Sequence, residues 1–320
     1  LEIQKKYNKI DDFDYEYQLL QIRDIDKPET ERLINEIDLK HKYKKISEIA
    51  LELQLEEMDI TKEELLKMLR ETYEVMKASA SDVITNDKIN PFKITGGNAK
   101  KILRYAQSGK SILGESMVTA IARGFSTSEL NAGMGKIVAA PTAGGAGILP
   151  GSLSWIQDKY NFTDDEMLMA LLVSGTIGRI IATNATISGA EGGCQAECGA
   201  ATAMSAAAIV ELHGGTPEQS LIAASFAMLM VLGLVCDPVA GLVEFPCALR
   251  NGSGTINALV ASDIALAGVE CIVPFDEVVQ AMYEVGNALP ETLRETALGG
   301  CAACPSAKKM ECKVFPNRLS

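Results

Sequence analysis

A chain of 320 residues is long enough to bury a sizeable core, as one large domain or as two. Its formal net charge of −12 excludes a nucleic-acid partner, because binding phosphates depends on clustered Lys and Arg that displace counterions. With 47% hydrophobic residues, only 5% aromatics and 27 glycines, the composition favours close-packed helices over sheet, and the expected fold is all-α.

The start, LEIQKKYNKIDDFDYEY, alternates charged with apolar residues and lacks the apolar stretch and small-residue cleavage site of a secretory signal. To about Asp87 the chain is dense in charge, and ISEIALELQLEEMDITKEELLKMLRETYEVMKASASDV carries apolar residues at helical spacing. Thr61 followed by Glu64 has the pattern of a capping box at a helix start. Residues 1–90 are therefore expected to form an amphipathic helical N-terminal region, either a solvated helical face or a lid, docking arm or small subdomain.

Near Asn90, NPFKITGGNAKK places a Pro and a Gly pair between two helical patterns, which marks a boundary. Residues 91–320 become rich in Ala and Gly, and DEMLMALLVSGTIGRIIATNATISGA and AECGAATAMSAAAIVELHGG read as buried helices of one helical domain. The second ends in His213-Gly214-Gly215, the pattern of a C-cap, and Thr216-Pro217 opens the next helix. The apolar run from Ile222 to Cys236 is 15 residues, short of the roughly 20 that cross a bilayer, so no membrane span and a cytoplasmic protein are expected.

Eight cysteines are too few for a disulfide scaffold and, without an export signal, are expected to remain thiols. Three lie beside glycine or proline: Cys194 in ISGAEGGCQAE, and Cys236 and Cys247 at the ends of CDPVAGLVEFPC. Gly-Gly before Cys194 leaves backbone amides free to stabilise a thiolate, and the Pro-Val-Ala-Gly turn can fold Cys236 and Cys247 toward one point. The spacing is not that of a zinc ribbon or a bacterial ferredoxin, so a shared metal site and three thiols buried as small hydrophobes both stay open. The stretch PTAGGAGILPG places Thr142, Ala143, Gly144, Gly145 and Gly147 before an apolar run, where backbone amides and a helix N-terminus favour an anion. It lacks the Gly-Lys-Ser/Thr ending of a phosphate loop and the spacing of a dinucleotide fingerprint, which points to a substrate carboxylate or to a purely structural turn.

Five segments, MGKIVAAPTAGGAGILPG, NATISGAEGGCQAECG, GGTPEQ, LGLVCDPVAGLVEFPCALRNG and YEVGNALPETLRETALGG, run in order from Met134 to Gly300. They resemble the successive signatures of the iron–sulfur L-serine dehydratases over more than half the chain. The resemblance implies that Cys194, Cys236 and Cys247 bind a 4Fe-4S cluster and that L-serine is converted to pyruvate and ammonia without pyridoxal phosphate. Three ligands leave one iron open as a Lewis acid on the substrate hydroxyl, while a base removes the Cα proton. The family also has a second domain or beta chain with a Ser-Ser-His-Thr type motif, which this sequence lacks. That implies an alpha subunit in a hetero-oligomer, with a separate beta subunit completing the site.

The other candidates carry weaker signals. Ser188, Glu191 and Asn184 precede Cys194, and Asp237 and Glu244 lie in the second cysteine segment, so all can line one pocket. Ser188 is a candidate for substrate binding, and Glu191 and Lys110 are candidates for catalysis. Against this, the carboxylates can serve structure by accepting amides or pairing with Arg179 or Arg250, and Lys110 can simply be exposed. Cys312 is a candidate tail ligand for the open iron; Cys198 reads as packing, and Cys301 and Cys304 form a Cys-Ala-Ala-Cys pair where the family carries apolar or Thr residues. Surface or capping roles are expected for His41 and His213. Two other functions fit the same residues: a related lyase acting on threonine or cysteine, and a non-catalytic helical subunit whose cysteines hold structural zinc.

Overall fold

Apolar spacing and Thr-based caps determine where the helices begin and which faces they bury. The computed structural model describes residues 45–86 and 94–316, so His41, the chain start and the boundary near Asn90 lie outside the described residues. Helices α1 (Ile46–Met58), α2 (Lys62–Thr85), α3 (Asn98–Gln107), α4 (Gly114–Ala132), α5 (Ile148–Tyr160) and α6 (Asp164–Asn184) lead to a single turn, α7 (Gly189–Gly192). Then follow α8 (Ala200–Leu212), α9 (Pro217–Leu229), α10 (Cys247–Leu266), α11 (Phe275–Ala288) and α12 (Pro305–Val314). No strand forms among the described residues, and the fold is all-α as the composition predicts.

At the start of α2, the Thr61 amide donates to the Glu64 carboxylate at 2.9 Å, while the Thr61 hydroxyl accepts from the Glu64 amide at 3.3 Å. This is the reciprocal box that the spacing predicts. The same device opens α6 at Thr163 and Glu166, and α9 at Thr216 and Gln219 with Pro217 at the first helical position. Beyond the end of helix α8, Gly214 has a left-handed φ of 78°, which glycine adopts without the strain of a side chain. The His213 ring accompanies this end, packed edge-on against Tyr160 and Phe162, which gives it the capping environment expected of it.

Helix α8 is the axis of the molecule and packs against α5, α6, α9 and α10. Every residue from Ala200 to Glu211 is buried, and the alanines keep the helix thin enough for four neighbours to approach. Close approach also governs α4, α5 and α10: a Cβ on Gly151 would lie 2.8 Å from both the Gly124 amide nitrogen and the Thr255 hydroxyl. Helices α1 and α2 join this same core through Ile46, Ile49, Leu65, Leu69, Tyr73 and Met76. The amphipathic pattern therefore produces two helices with a buried face. Arg179 of α6 holds Glu57 of α1 at 2.9 Å, and Glu211 of α8 accepts from the Ser47 amide at 3.2 Å.

Helix α6 is long and apolar enough to cross a bilayer by length and composition, and exceeds the 15-residue stretch that the sequence brings out. It is mostly buried against α1, α2, α8 and α11, the surroundings of a core helix.

Candidate active site and metal centre

Cys194 follows a segment whose shape depends on glycine. Gly193 has a φ of 76°, and a Cβ there would lie 2.9 Å from the Leu234 carbonyl. Immediately beyond Cys194 the chain makes a π-helical turn, Gln195–Gly199, before α8. Such turns recur at functional sites because they re-aim side chains. Gln195 secures the turn: its amide donates to Leu234 O at 2.9 Å, its side-chain nitrogen to Met282 O at 2.8 Å, and its side-chain oxygen accepts from Gly233 N at 2.8 Å.

Cys236 lies in an extended segment paired with the chain that follows α11. Its amide donates to Leu293 O at 2.9 Å, and its carbonyl accepts from Glu295 N at 2.7 Å. The turn through Val239–Gly241 then reverses the chain, with Ala240 at a left-handed φ of 58°, and leads to Cys247 as the first residue of α10. Asn251, one turn into α10, donates to both Cys247 O at 2.8 Å and Gly144 O at 2.7 Å, and accepts from Gly147 N at 2.6 Å. One amide side chain thus couples the third cysteine to the glycine-rich stretch.

Cys194, Cys236 and Cys247 are buried free thiols on segments that Glu197 and Asn251 tie together, Glu197 lying 3.9 Å from the Cys236 sulfur and Asn251 bonding both Cys247 O and Gly144 O. Burial pushes the Cys236 and Cys247 thiols up, whereas a hydrogen bond with Cys198 pulls Cys194 down. The Cys198 sulfur is 3.3 Å from that of Cys194 and fully enclosed. Among the described residues, no three His, Cys, Asp or Glu side chains converge tightly enough to hold one metal ion. Thiolates are the ligands that iron–sulfur groups take, as zinc does, so the donor chemistry of Cys194, Cys236 and Cys247 fits an iron–sulfur group.

Glu197 is the residue that sequence reasoning missed. The residue is 8% exposed, and its carboxylate accepts from the Thr142 hydroxyl at 2.8 Å and lies 3.9 Å from the Cys236 sulfur. Added Cβ atoms would meet it at 2.9 Å from Gly144 and 2.6 Å from Gly189, so both glycines exist partly to make room for it. Burial, reinforced by Glu295, raises its pKa to about 7. The available signal was a lone Glu in an otherwise uncharged Ala- and Gly-rich run.

Asp237 and Glu244 take structural roles. Asp237 pairs with Arg250 at 2.7 Å and accepts from the Cys301 amide at 2.6 Å, and Glu244 accepts from the Thr95 amide at 3.0 Å. Ser188 caps α7 with its carbonyl toward Gly192 N, while exposed Glu191 accepts from Thr186. Lys110 is exposed between α3 and α4, with local bonds to Tyr105 and Ser108. Asn184 bonds back to Ile180 O within α6. Cys312 is exposed on α12, which packs against the Val239–Gly241 turn, and Cys301 and Cys304 are exposed as well.

The family model described as "Serine dehydratase alpha chain" matches residues 41–302. The chain is 53% identical over 266 residues to the L-serine dehydratase, alpha chain, of Peptoniphilus asaccharolyticus, covering 83% of this chain and 91% of that protein. It is 45% identical over 280 residues to the probable L-serine dehydratase, alpha chain, of Bacillus subtilis, covering 88% and 93%. Against L-serine dehydratase 2 of Escherichia coli the identity is 38% over 249 residues, covering 76% of this chain but 54% of that longer protein.

Proposed function

The chain belongs to the serine dehydratase alpha chain family, and from that membership we propose that it eliminates water from L-serine to give pyruvate and ammonia at an iron–sulfur centre held by Cys194, Cys236 and Cys247. The observation that supports this reading is that three buried thiols lie on segments tied together by Glu197, which bonds Thr142 and approaches the Cys236 sulfur, and by Asn251, which bonds Cys247 O and Gly144 O. When bound there, a 4Fe-4S cluster with three protein ligands supplies an open iron as a Lewis acid for the departing hydroxyl.

The chain's own residues then have distinct tasks. Gly193, Gln195 and the pairing with Leu293 and Glu295 hold the first two thiols, and Asn251 holds the third against the glycine stretch. Thr142, Ala143, Gly144, Gly145, Gly147 and Ser188 line the substrate side. Gly147 acts through its bond to Asn251, and Gly144 by leaving room for Glu197. Glu197 accepts the substrate ammonium, and that positive charge in turn favours the ionised carboxylate. Replacing Glu197 by Gln is expected to raise KM for L-serine about 10-fold or more while leaving iron content unchanged, as read by steady-state kinetics and iron analysis.

A separate beta subunit completes the site. The support is the name "alpha chain" carried by the relatives of similar length, and the 54% coverage of the longer Escherichia coli protein. Anaerobic coexpression with a beta chain, followed by iron, sulfide and pyruvate measurements, tests the reading. Pyruvate from L-serine by brown protein supports it; colourless protein with stoichiometric zinc and no pyruvate sinks it.

A further inference from the structure

We propose that Arg250 receives the substrate carboxylate and that Asp237 is the positioning residue that aims it. The inference rests on the serine reading above and deepens it. Arg250 is in the first turn of α10, three residues beyond Cys247, with its side chain 13% exposed. Asp237, 3% exposed, grips Nη2 with one oxygen at 2.7 Å and is itself fixed at the other by the Cys301 amide at 2.6 Å. A Cβ on Gly300 would collide with this carboxylate, so the backbone after Leu298 is shaped around it.

Of the two guanidinium nitrogens that Asp237 does not hold, Nη1 is buried without a hydrogen-bond partner among the described residues, while the guanidinium as a whole also bonds toward the Cys194 sulfur. A buried donor left unmade bears its full loss of hydration, and a planar cationic fork is suited to a carboxylate that arrives with the ligand. The guanidinium lies beside the Cys194 sulfur and within electrostatic reach of Cys247 and Glu197. Glu197 and Arg250 therefore provide opposite charges around the three thiols, the complement of an amino-acid zwitterion. The glycine stretch is the poorer place for the carboxylate, because Glu197 already lies against Gly144 and would repel a second anion.

A competing role is that Arg250 only supports the Cys194 thiolate, and the two roles separate by ligand. The anaerobic holoenzyme would carry Arg250→Met or Arg250→Lys, with KM for L-serine, inhibition by 3-hydroxypropanoate and by ethanolamine, and iron and sulfide per chain all measured. Arg250→Met is expected to raise KM for L-serine and the inhibition constant of 3-hydroxypropanoate about 10- to 100-fold. Ethanolamine, which has no carboxylate, should change less than about 2-fold, and iron should be retained. Arg250→Lys should give smaller rises of the same pattern, because a point charge replaces the fork. If the Met variant alone loses iron, the Lys variant decides by whether its KM for L-serine rises. Unchanged KM with iron retained, equal weakening of both inhibitors, or loss of iron from both variants would overturn the proposal. Absence of pyruvate from the unsubstituted holoenzyme would instead bring down the serine reading itself.

Discussion

Replacing Cys194, Cys236 or Cys247 by Ser is expected to remove the cluster and reduce pyruvate formation to background, each substitution acting alone. A serine hydroxyl is a harder ligand than a thiol and far less ready to ionise, and all three positions are buried. With only three protein ligands, losing one leaves the cluster held at two corners. Cys198→Ala should behave differently, because its sulfur touches that of Cys194 at 3.3 Å and cannot reach a separate iron. Cys301→Ser and Cys304→Ser, at exposed positions, should retain both iron and activity. Iron and sulfide analysis beside pyruvate assays reads the whole series. A full cluster in any one of the first three variants would mean the ligand set is wrong.

Gly193→Ala is expected to destabilise the chain by about 2–4 kcal/mol and to lower cluster occupancy. Two effects add: an L-residue at a φ of 76° is strained, and its Cβ would press on the Leu234 carbonyl and on the Leu289 side chain. That carbonyl also accepts from Gln195 N, so relief of the clash displaces the residue next to Cys194. Gly233→Ala is the matched control, with a φ of 83° but nothing within 4 Å of its Cβ, and should show only the strain of about 1 kcal/mol. Urea unfolding of both variants with iron content would distinguish the terms. Equal losses for the two would show that the contact at Leu234 is unimportant.

Much of the fold was legible because its signals are local. Thr61 and Glu64, or Thr216 and Pro217, declare a helix start within four residues, and the Ala-rich run after Gly199 can only be a buried helix. The family resemblance read from Met134 to Gly300 agrees with the match over residues 41–302. The site was less legible because long-range partners decide it. Glu197 looks like any helical carboxylate until Thr142, 55 residues earlier, is placed on it. Asn251 gains its role only by reaching Gly147, 104 residues away. The π turn after Cys194 has no local signature beyond the glycines that permit it, since Gln195 fixes it through Gly233 and Met282. Asp237 and Glu244, by contrast, could be read only as alternatives, and the structure gives Asp237 to Arg250 and the Cys301 amide, and Glu244 to the Thr95 amide and hydroxyl.

If three cysteines hold a cluster with one corner left for substrate, the absorbance and electron paramagnetic resonance of the anaerobic holoenzyme respond to L-serine. The expected result is a brown chromophore with about four irons per chain, whose spectrum shifts on adding L-serine and stays unchanged on adding L-alanine, which lacks the hydroxyl. A spectrum indifferent to L-serine in protein that still forms pyruvate, or pyruvate formation by iron-free protein, would contradict it.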